Sequence, residues 1–378
     1  MPATEGQPLR ILHAVRAPVG GIFRHILDLA NGQADRGHLV GIVADSLTGG
    51  ERAEQALAEI APRMKLGVHR LEIRREPSPL DAVTWFQFNQ LARRLQPNVL
   101  HGHGAKAGAY FRMRGASHDS IRVYTPHGGS LHYPLSTLKG QVYSRIERAL
   151  MNSTDLFLFE SAFARDTFQR TIGTPMGLVR TVFNGVTADE FDPVKRADDA
   201  TDIAYVGEFR QIKGADLLID AVGRLRADGR TVTLTLGGDG EEMAHLKAQV
   251  SRLNLGEAVR FIGHVKARYG FSKGSLLVVP SRGDSMPYVV IEAAAAGIPM
   301  IAANVGGIPE IFGPEHQDAL FARNSVGAMA DAIAGALDNM EAVRARARSL
   351  RERIFLHFSQ KAMVEGVLAG YRDAFVDR

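Results

Sequence analysis

The sequence predicts an α/β protein of two domains, each a doubly wound parallel sheet covered by helices on both faces. Three observations carry this. Short apolar runs alternate with helix-length segments, the pattern of parallel strands joined by crossover helices. The alternation stops once, in an aperiodic Asp-rich interval interrupted by Pro193, and then restarts. At 378 residues the chain is long for one core and comfortable for two domains.

Taken in order, Leu9–Val15 is an apolar strand followed by Gly20-Gly21 and a helical stretch from Ile22 to about Arg36. In that stretch Ile22, Phe23, Ile26, Leu27 and Ala30 fall on one stripe at helical spacing. Leu39–Ala44, Val99–His101, Ile121–Thr125, Leu156–Phe159 and Val179–Phe183 are further strands. Asn184–Asp202 reads as a linker. Beyond it come strand Ile203–Val206, helix Gly214–Asp228, strand Val232–Gly237 and helix Glu241–Leu253. Strands Val259–Ile262 and Leu276–Val279, helix Pro287–Ala296 and strand Pro299–Ala302 follow, and the last 50 residues are helical and arginine-rich. The expected domains are 1–184 and 185–359, with a C-terminal helix at about 360–378 packing back on the first. Two such domains are expected to face each other across a cleft, with ligand at the carboxyl ends of the strands.

Hydrophobic content of 45% and charged content of 23% belong to a globular chain, not a disordered one. The absence of cysteine excludes disulfides and thiolate metal sites and fits a reducing cytoplasm. Met1–Pro8 is polar, Leu9–Val15 is too short for the apolar core of a signal peptide, and no run approaches a membrane span. A cytoplasmic location is therefore expected. Charge is uneven: residues 1–185 hold 22 Lys and Arg against 15 Asp and Glu, +7, and residues 186–378 hold 23 against 26, −3. Arg63, Lys65, Arg70, Arg74 and Arg75 cluster, and arginine pairs follow at 93–94 and 112/114. Such a cluster reads either as a solvated surface or as a face attracted to anionic lipid headgroups or a phosphorylated acceptor, which would make the protein peripheral on the inner face of the cytoplasmic membrane. Nucleic acid is not an expected partner, because no basic helix or aromatic-interleaved patch accompanies the charge.

The segment Pro280-Ser-Arg-Gly-Asp284-Ser-Met-Pro-Tyr288-Val289-Val-Ile-Glu292-Ala-Ala-Ala-Ala-Gly-Ile-Pro holds the densest chemistry. A strand ends at Pro280, a loop carries Asp284, and Ser285 with Pro287 reads as the N-cap and first-turn proline of a helix. Free amides near Tyr288 and Val289 and the helix dipole favour an anion there. Glu292 then falls inside the helix among alanines, where a carboxylate is costly unless a ligand or the backbone engages it. A ribose diol is a suitable partner; the plain reading is an exposed glutamate.

Two acidic residues separated by seven positions, Asp284 and Glu292, preceded by Pro-Ser and followed by Glu-Ala-x-Ala-x-Gly-x-Pro, resemble the signature of the family-4 retaining glycosyltransferases of GT-B fold, two Rossmann-like domains. Where that family usually has Glu, this chain has Asp284. Val206-Gly-Glu-Phe-Arg210-Gln-Ile-Lys213-Gly214 resembles the turn whose Arg and Lys hold the donor diphosphate, a role suited to a leaving group bearing two charges without metal. Gly237-Gly238-Asp-Gly240 resembles the turn under the donor nucleotide. Ala17-Pro-Val-Gly20-Gly21-x-x-x-His25 resembles the glycine loop near the donor phosphates and acceptor, where only glycine lets the backbone approach. Thr125-Pro-His127-Gly128-Gly129 lies where the family often has a histidine on the transferred sugar. Asn184-Gly185 matches the family's interdomain hinge, whose closure would exclude water, and Gly306-Gly-Ile-Pro-Glu310 its loop after the donor helix.

The resemblance implies a metal-independent hexosyltransferase with no cofactor, which moves a hexose from a nucleoside-diphosphate sugar to a glycan or lipid-linked acceptor in envelope or exopolysaccharide synthesis. His127, Asp284, Arg210 and Lys213 are the expected catalytic residues; Gly20, Gly21, Gly238, Tyr288, Val289 and Glu292 join the last three in donor binding. A nucleotide-sugar epimerase of the same scaffold and a non-catalytic sugar-nucleotide-binding paralogue are the alternatives. Three patterns point elsewhere. Gly270-Phe-Ser272-Lys-Gly274 fits a hydrolase nucleophile but precedes its strand instead of following it. Gly102-His-Gly104-x-x-x-Gly108 lacks the strict dinucleotide fingerprint. His101 and His103 could face a metal with His127, although strand-end packing is the expected reading, and the absence of any Asp-x-Asp argues against metal-dependent transfer.

Overall fold

The computed structural model describes residues 7–113, 115, 119–128 and 135–377, so that Arg114 and Gly129 lie outside the described residues. The chain forms two compact units, one of Met1–Gly185 with Gln360–Arg378 and one of Val186–Ser359.

The first unit holds strands β1 (Arg10–Val15), β2 (Leu39–Asp45), β3 (Gly67–Leu71), β4 (Val99–His103), β5 (Ile121–Thr125), β6 (Leu156–Phe159) and β7 (Leu178–Thr181). All pair in parallel, in the order β3-β2-β1-β4-β5-β6-β7. The order reverses between β1 and β4, and at such a point loops diverge and leave a ligand crevice at the strand ends. Helices α1 (Gly20–Asp35), α2 (Gly50–Ile60), α3 (Asp81–Leu95), α4 (Ala105–Arg112), α5 (Leu138–Met151) and α6 (Ala162–Thr171) form the crossovers. The C-terminal helix Gln360–Val376 belongs to this unit: Val364, Val367 and Tyr371 share a core with Ile11, Leu29 and Val123. Gly32 of α1 makes room for it, since a Cβ there would fall 2.5 Å from Val364 Cγ2.

β3 was not expected, because this partly buried edge strand carries His69 and Arg70 where an interior strand would be apolar. The basic cluster is also less free than its sequence implied. Arg63 pairs with Asp35, Arg74 pairs with Glu72, and Arg70 donates to Thr48 O. Arg112 is no surface residue: it is fully buried, 2.8 Å from Glu147 and stacked on Tyr124, because α4 and α5 pack over that ring.

The second unit holds β8 (Thr201–Val206), β9 (Leu234–Gly237), β10 (Val259–Phe261), β11 (Gly274–Val279), β12 (Met300–Ala303) and β13 (Leu320–Phe321), parallel in the order β10-β9-β8-β11-β12-β13. Its helices are α7 (Ala215–Ala227), α8 (Met243–Arg252), α9 (Ala267–Phe271), α10 (Tyr288–Ala295), α11 (Ile308–Phe312), α12 (Val326–Asp338) and α13 (Met340–His357), which makes the C-terminal helix α14. The expected linker is not featureless. Ala188–Phe191 is a 3-10 turn closed by the Thr187–Glu190 capping box, and Thr201 and Asp202 already belong to β8. Gly274 opens β11 and Ser272 Oγ donates to Tyr269 O, so the Gly270–Gly274 pattern is a helix end, not a nucleophile elbow. Among the described residues no helix is long and apolar enough to cross a membrane.

Candidate functional site

In the second unit the sheet order reverses between β8 and β11, and the loops that leave these strands meet. After β8 the chain runs through Glu208–Arg210 into a 3-10 turn, Gln211–Lys213, and ends it at Gly214 with φ +72°. A Cβ at Gly214 would lie 2.2 Å from Pro280 O, so glycine is what lets this turn touch the end of β11. Three further contacts fasten the loops: Arg282 N–H donates to Ile212 O at 2.8 Å, and the Arg282 guanidinium grips the Asp216 carboxylate at 2.7 and 2.6 Å. The result is an ion pair between two predicted site residues, with Lys213 Nζ 2.6 Å from Asp284 Oδ1. Asp284 Oδ2 is buried and has no hydrogen-bond partner among the described residues. A buried acceptor without a partner is costly, and a ligand hydroxyl or amide would satisfy it.

The loop after β12 props this arrangement from the other side. Gly307 N–H donates to Asp284 O at 3.1 Å, and Gly306, at φ +62°, has its missing Cβ position only 1.5 Å from the same oxygen. Gly238 acts in the same manner, since a Cβ there would fall 1.9 Å from Gly207 O. Its glycine is explained by packing of the turn against the Gly207–Phe209 loop. Arg210 is exposed, 3.8 Å from Glu208 and 4.0 Å from Glu241. Both distances are long, which leaves the guanidinium available to a stronger anion.

Ser285 is not the N-cap of α10. Pro287 is, with extended backbone and no side-chain cap. The first turn closes on Pro287 O, which accepts from Val290 N–H at 3.2 Å, so the N–H groups of Tyr288 and Val289 precede the first intrahelical donor. An uncapped helix start, four residues beyond the Asp284 that pairs with Lys213, is suited to a phosphate. Glu292, one turn further in, is 9% exposed, not the exposed glutamate of the plain reading. Glu310 lies in the first turn of α11, and its carbonyl accepts from Arg353.

In the first unit, Gly20 has φ +61° and open space within 4 Å of its missing Cβ, and α1 starts there without a side-chain cap. Asn184 is buried and accepts from His25 Nδ1 at 2.9 Å, which ties the expected hinge residue to α1. Gly102 is the close-approach point of β4 on α4, its missing Cβ lying 2.5 Å from Gly108 Cα, so that glycine pattern is strand–helix packing.

Five histidines converge at the ends of β1, β4 and β5. Only part of this set was singled out from the sequence, and His13 was not. His13 Nε2 faces Gln33 Oε1 at 2.8 Å, His13 Nδ1 faces His103 Nε2 at 3.0 Å, and His103 Nδ1 faces His127 Nε2 at 3.0 Å. The Gln33 oxygen can only accept, so His13 carries its proton on Nε2. Each neutral ring then passes the same polarity on: His103 donates from Nε2 to His13, and His127 donates from Nε2 to His103. His127 Nδ1 is left as an acceptor. His101 is held separately, between Tyr371 Oη at 2.7 Å and Thr125 Oγ1 at 2.8 Å. Burial lowers all five pKa values, His13 and His25 to about 4, so the cluster is neutral. His127 sits at φ +50°, a conformation a non-glycine residue adopts only when its surroundings impose it.

The fold has clear counterparts. It superimposes on the sucrose-phosphate synthase of Thermosynechococcus elongatus with a TM-score of 0.80 at 22% identity, over 98% of this chain and 100% of that one. It also matches Anabaena HepE in complex with UDP-glucose, at a TM-score of 0.79 and 19% identity over 96% and 98%. The fold class is therefore GT-B, two Rossmann-like domains. Residues 19–190 match the model described as Glycosyltransferase Family 4, and residues 200–339 the model described as Glycosyl transferases group 1. The chain belongs to the family-4, group 1 glycosyltransferases. Among curated relatives, the glycogen synthase of Mycobacterium tuberculosis strain H37Rv is 24% identical over 93% of this chain and 91% of its own length. D-inositol 3-phosphate glycosyltransferase 2 of Catenulispora acidiphila is 30% identical over 51% and 50%.

Proposed function

We propose that this glycosyltransferase moves a hexose, with retention of anomeric configuration and without metal, from a nucleoside-diphosphate sugar to a glycan or lipid-linked acceptor in envelope or exopolysaccharide synthesis. The Lys213–Asp284 pair at the β8/β11 switch point carries the reading. Lys213, Arg210 and the amides of Tyr288 and Val289 gather positive potential where a diphosphate leaving group would be stabilised as charge develops on it. Glu292 is assigned to the ribose, and Asp284, with its unpartnered Oδ2, to a hydroxyl of the transferred sugar. In the first unit, Gly20 and Gly21 supply approachable backbone and His127 offers Nδ1 as acceptor to the sugar. The complex of Anabaena HepE with UDP-glucose supports a nucleotide-sugar donor. The +7 charge of residues 1–185 supports an anionic acceptor or membrane surface, even with several of its arginines engaged.

The test is to screen UDP-, GDP- and ADP-sugars for thermal stabilisation, then to follow transfer from the best donor and assign the product anomer by NMR. Stabilisation by one class that is lost in Lys213→Ala and Glu292→Ala, with a retained anomer, is the expected result. An inverted anomer removes the mechanism. Donor conversion without acceptor indicates the epimerase, and activity that appears only in Asp284→Glu indicates the non-catalytic paralogue.

A further inference from the structure

We propose that His25, His103 and His127 form a binding site for a first-row divalent ion of the Zn²⁺, Co²⁺ and Ni²⁺ class, and that a bound ion inhibits transfer by withdrawing His127 from the sugar. The second clause rests on the assignment of His127 made above; the first does not. One ring nitrogen from each of the three lies within 4.8 Å of the others. The tightest pair, His103 Nδ1 and His127 Nε2, is 3.0 Å apart. Imidazole nitrogens on a tetrahedral ion at about 2.0–2.1 Å stand roughly 3.3–3.4 Å from each other. The ion can thus replace the shared proton once the pair opens by a few tenths of an ångström, and the His25 ring, 4.8 Å from His127 between centroids, closes in from the side.

The hydrogen bonds on the opposite nitrogens favour the same result. Asn184 Oδ1 accepts from His25 Nδ1, so the His25 lone pair is on Nε2. The Gln33–His13 pair accepts from His103 Nε2, so the His103 lone pair is on Nδ1, where the ion would bind. Orienting partners of this kind hold a ligating imidazole in the required tautomer. Only His127 must change, its proton moving from Nε2 to Nδ1, with no proton lost and the ring left neutral. The donor set is all nitrogen with no carboxylate, which selects borderline transition ions over Mg²⁺ and Ca²⁺. His127 itself is partly exposed, which gives the ion an entry and leaves a fourth position for water.

The test uses the full chain stripped with chelator and titrated with Co²⁺ and Zn²⁺, read by visible absorption and calorimetry, beside His25→Gln and His245→Gln. His245 is an exposed histidine that pairs with Glu242 and controls for surface binding. One equivalent of tetrahedral Co²⁺ is expected, weakened in His25→Gln by more than the roughly 10–100-fold that loss of an orienting partner costs and unchanged in His245→Gln. Circular dichroism checks that His25→Gln folds, and if it does not, Asn184→Leu, which frees the His25 tautomer, should weaken Co²⁺ binding instead. No saturable binding, or a Co²⁺ spectrum that survives both His25→Gln and Asn184→Leu, overturns the site. Zn²⁺ should inhibit transfer by the wild-type protein reversibly with chelator. Binding without inhibition keeps the metal site and overturns the placing of His127 on the sugar.

Discussion

Lys213 Nζ and Asp284 Oδ1 stand 2.6 Å apart, joining the loop after β8 to the loop after β11 across 71 positions of sequence. Family resemblance gives these residues to different parts of a donor, the diphosphate and the sugar. The ion pair makes them one unit, so that each sets the other's position before any ligand arrives. Lys213→Ala leaves Asp284 largely covered and without its cation. A double-mutant cycle with Asp284→Ala should therefore show coupling of about 0.5–3 kcal/mol in both denaturant stability and transition-state binding. Additive single mutants would show that the pair does nothing jointly.

The glycines of the site divide into two kinds. Gly214→Ala and Gly306→Ala place a methyl 2.2 and 1.5 Å from backbone oxygens, so one loop must move; destabilisation of several kcal/mol is expected, with loss of donor-induced thermal shift. Gly20→Ala meets open space and pays only for its φ of +61°, roughly 1–2 kcal/mol. Its effect should appear mainly in kcat/KM, if the backbone there is approached by substrate. Urea midpoints beside steady-state kinetics separate the two behaviours.

Buried Arg112 and Glu147 test how the first unit tolerates charge. Removing one partner leaves the other desolvated, so Arg112→Met and Glu147→Leu should each destabilise by about 3–5 kcal/mol. The double variant, which removes both charges, should recover most of that loss in thermal or urea unfolding.

The histidine cluster makes the metal-free protein sensitive to acid. Desolvation lowers His13 and His25 from about 6.5 to about 4. Between these values the unfolded chain binds protons that the native chain refuses, so stability rises with pH through this window and levels off above it. The slope approaches about 1.4 kcal/mol per residue and pH unit only below pH 6.5, where the unfolded histidines are half protonated, so the two together should remove roughly 3 kcal/mol between pH 6.5 and 5. Urea unfolding at the two pH values checks this, and equal midpoints would contradict it.

What the sequence by itself determined is the alternation of strands and helices, the break near Asn184, and the glycine and acid positions of the motifs. These are local properties: a parallel strand covered on both faces must be apolar, and a turn at positive φ favours glycine. Edge strand β3, with His69 and Arg70, escaped because an edge need not be apolar. The N-cap of α10 was misplaced by two residues, from Ser285 to Pro287, because backbone direction decides which residue starts a helix. What only the tertiary structure decided is which residues touch. Strand order alone brings Lys213 to Asp284, Arg282 to Asp216, and His13 through His103 to His127. Pairing between β1, β4 and β5 is set by whole-sheet packing, so a buried histidine on β1 reads in one dimension as an isolated residue and in three as one end of a polarised chain.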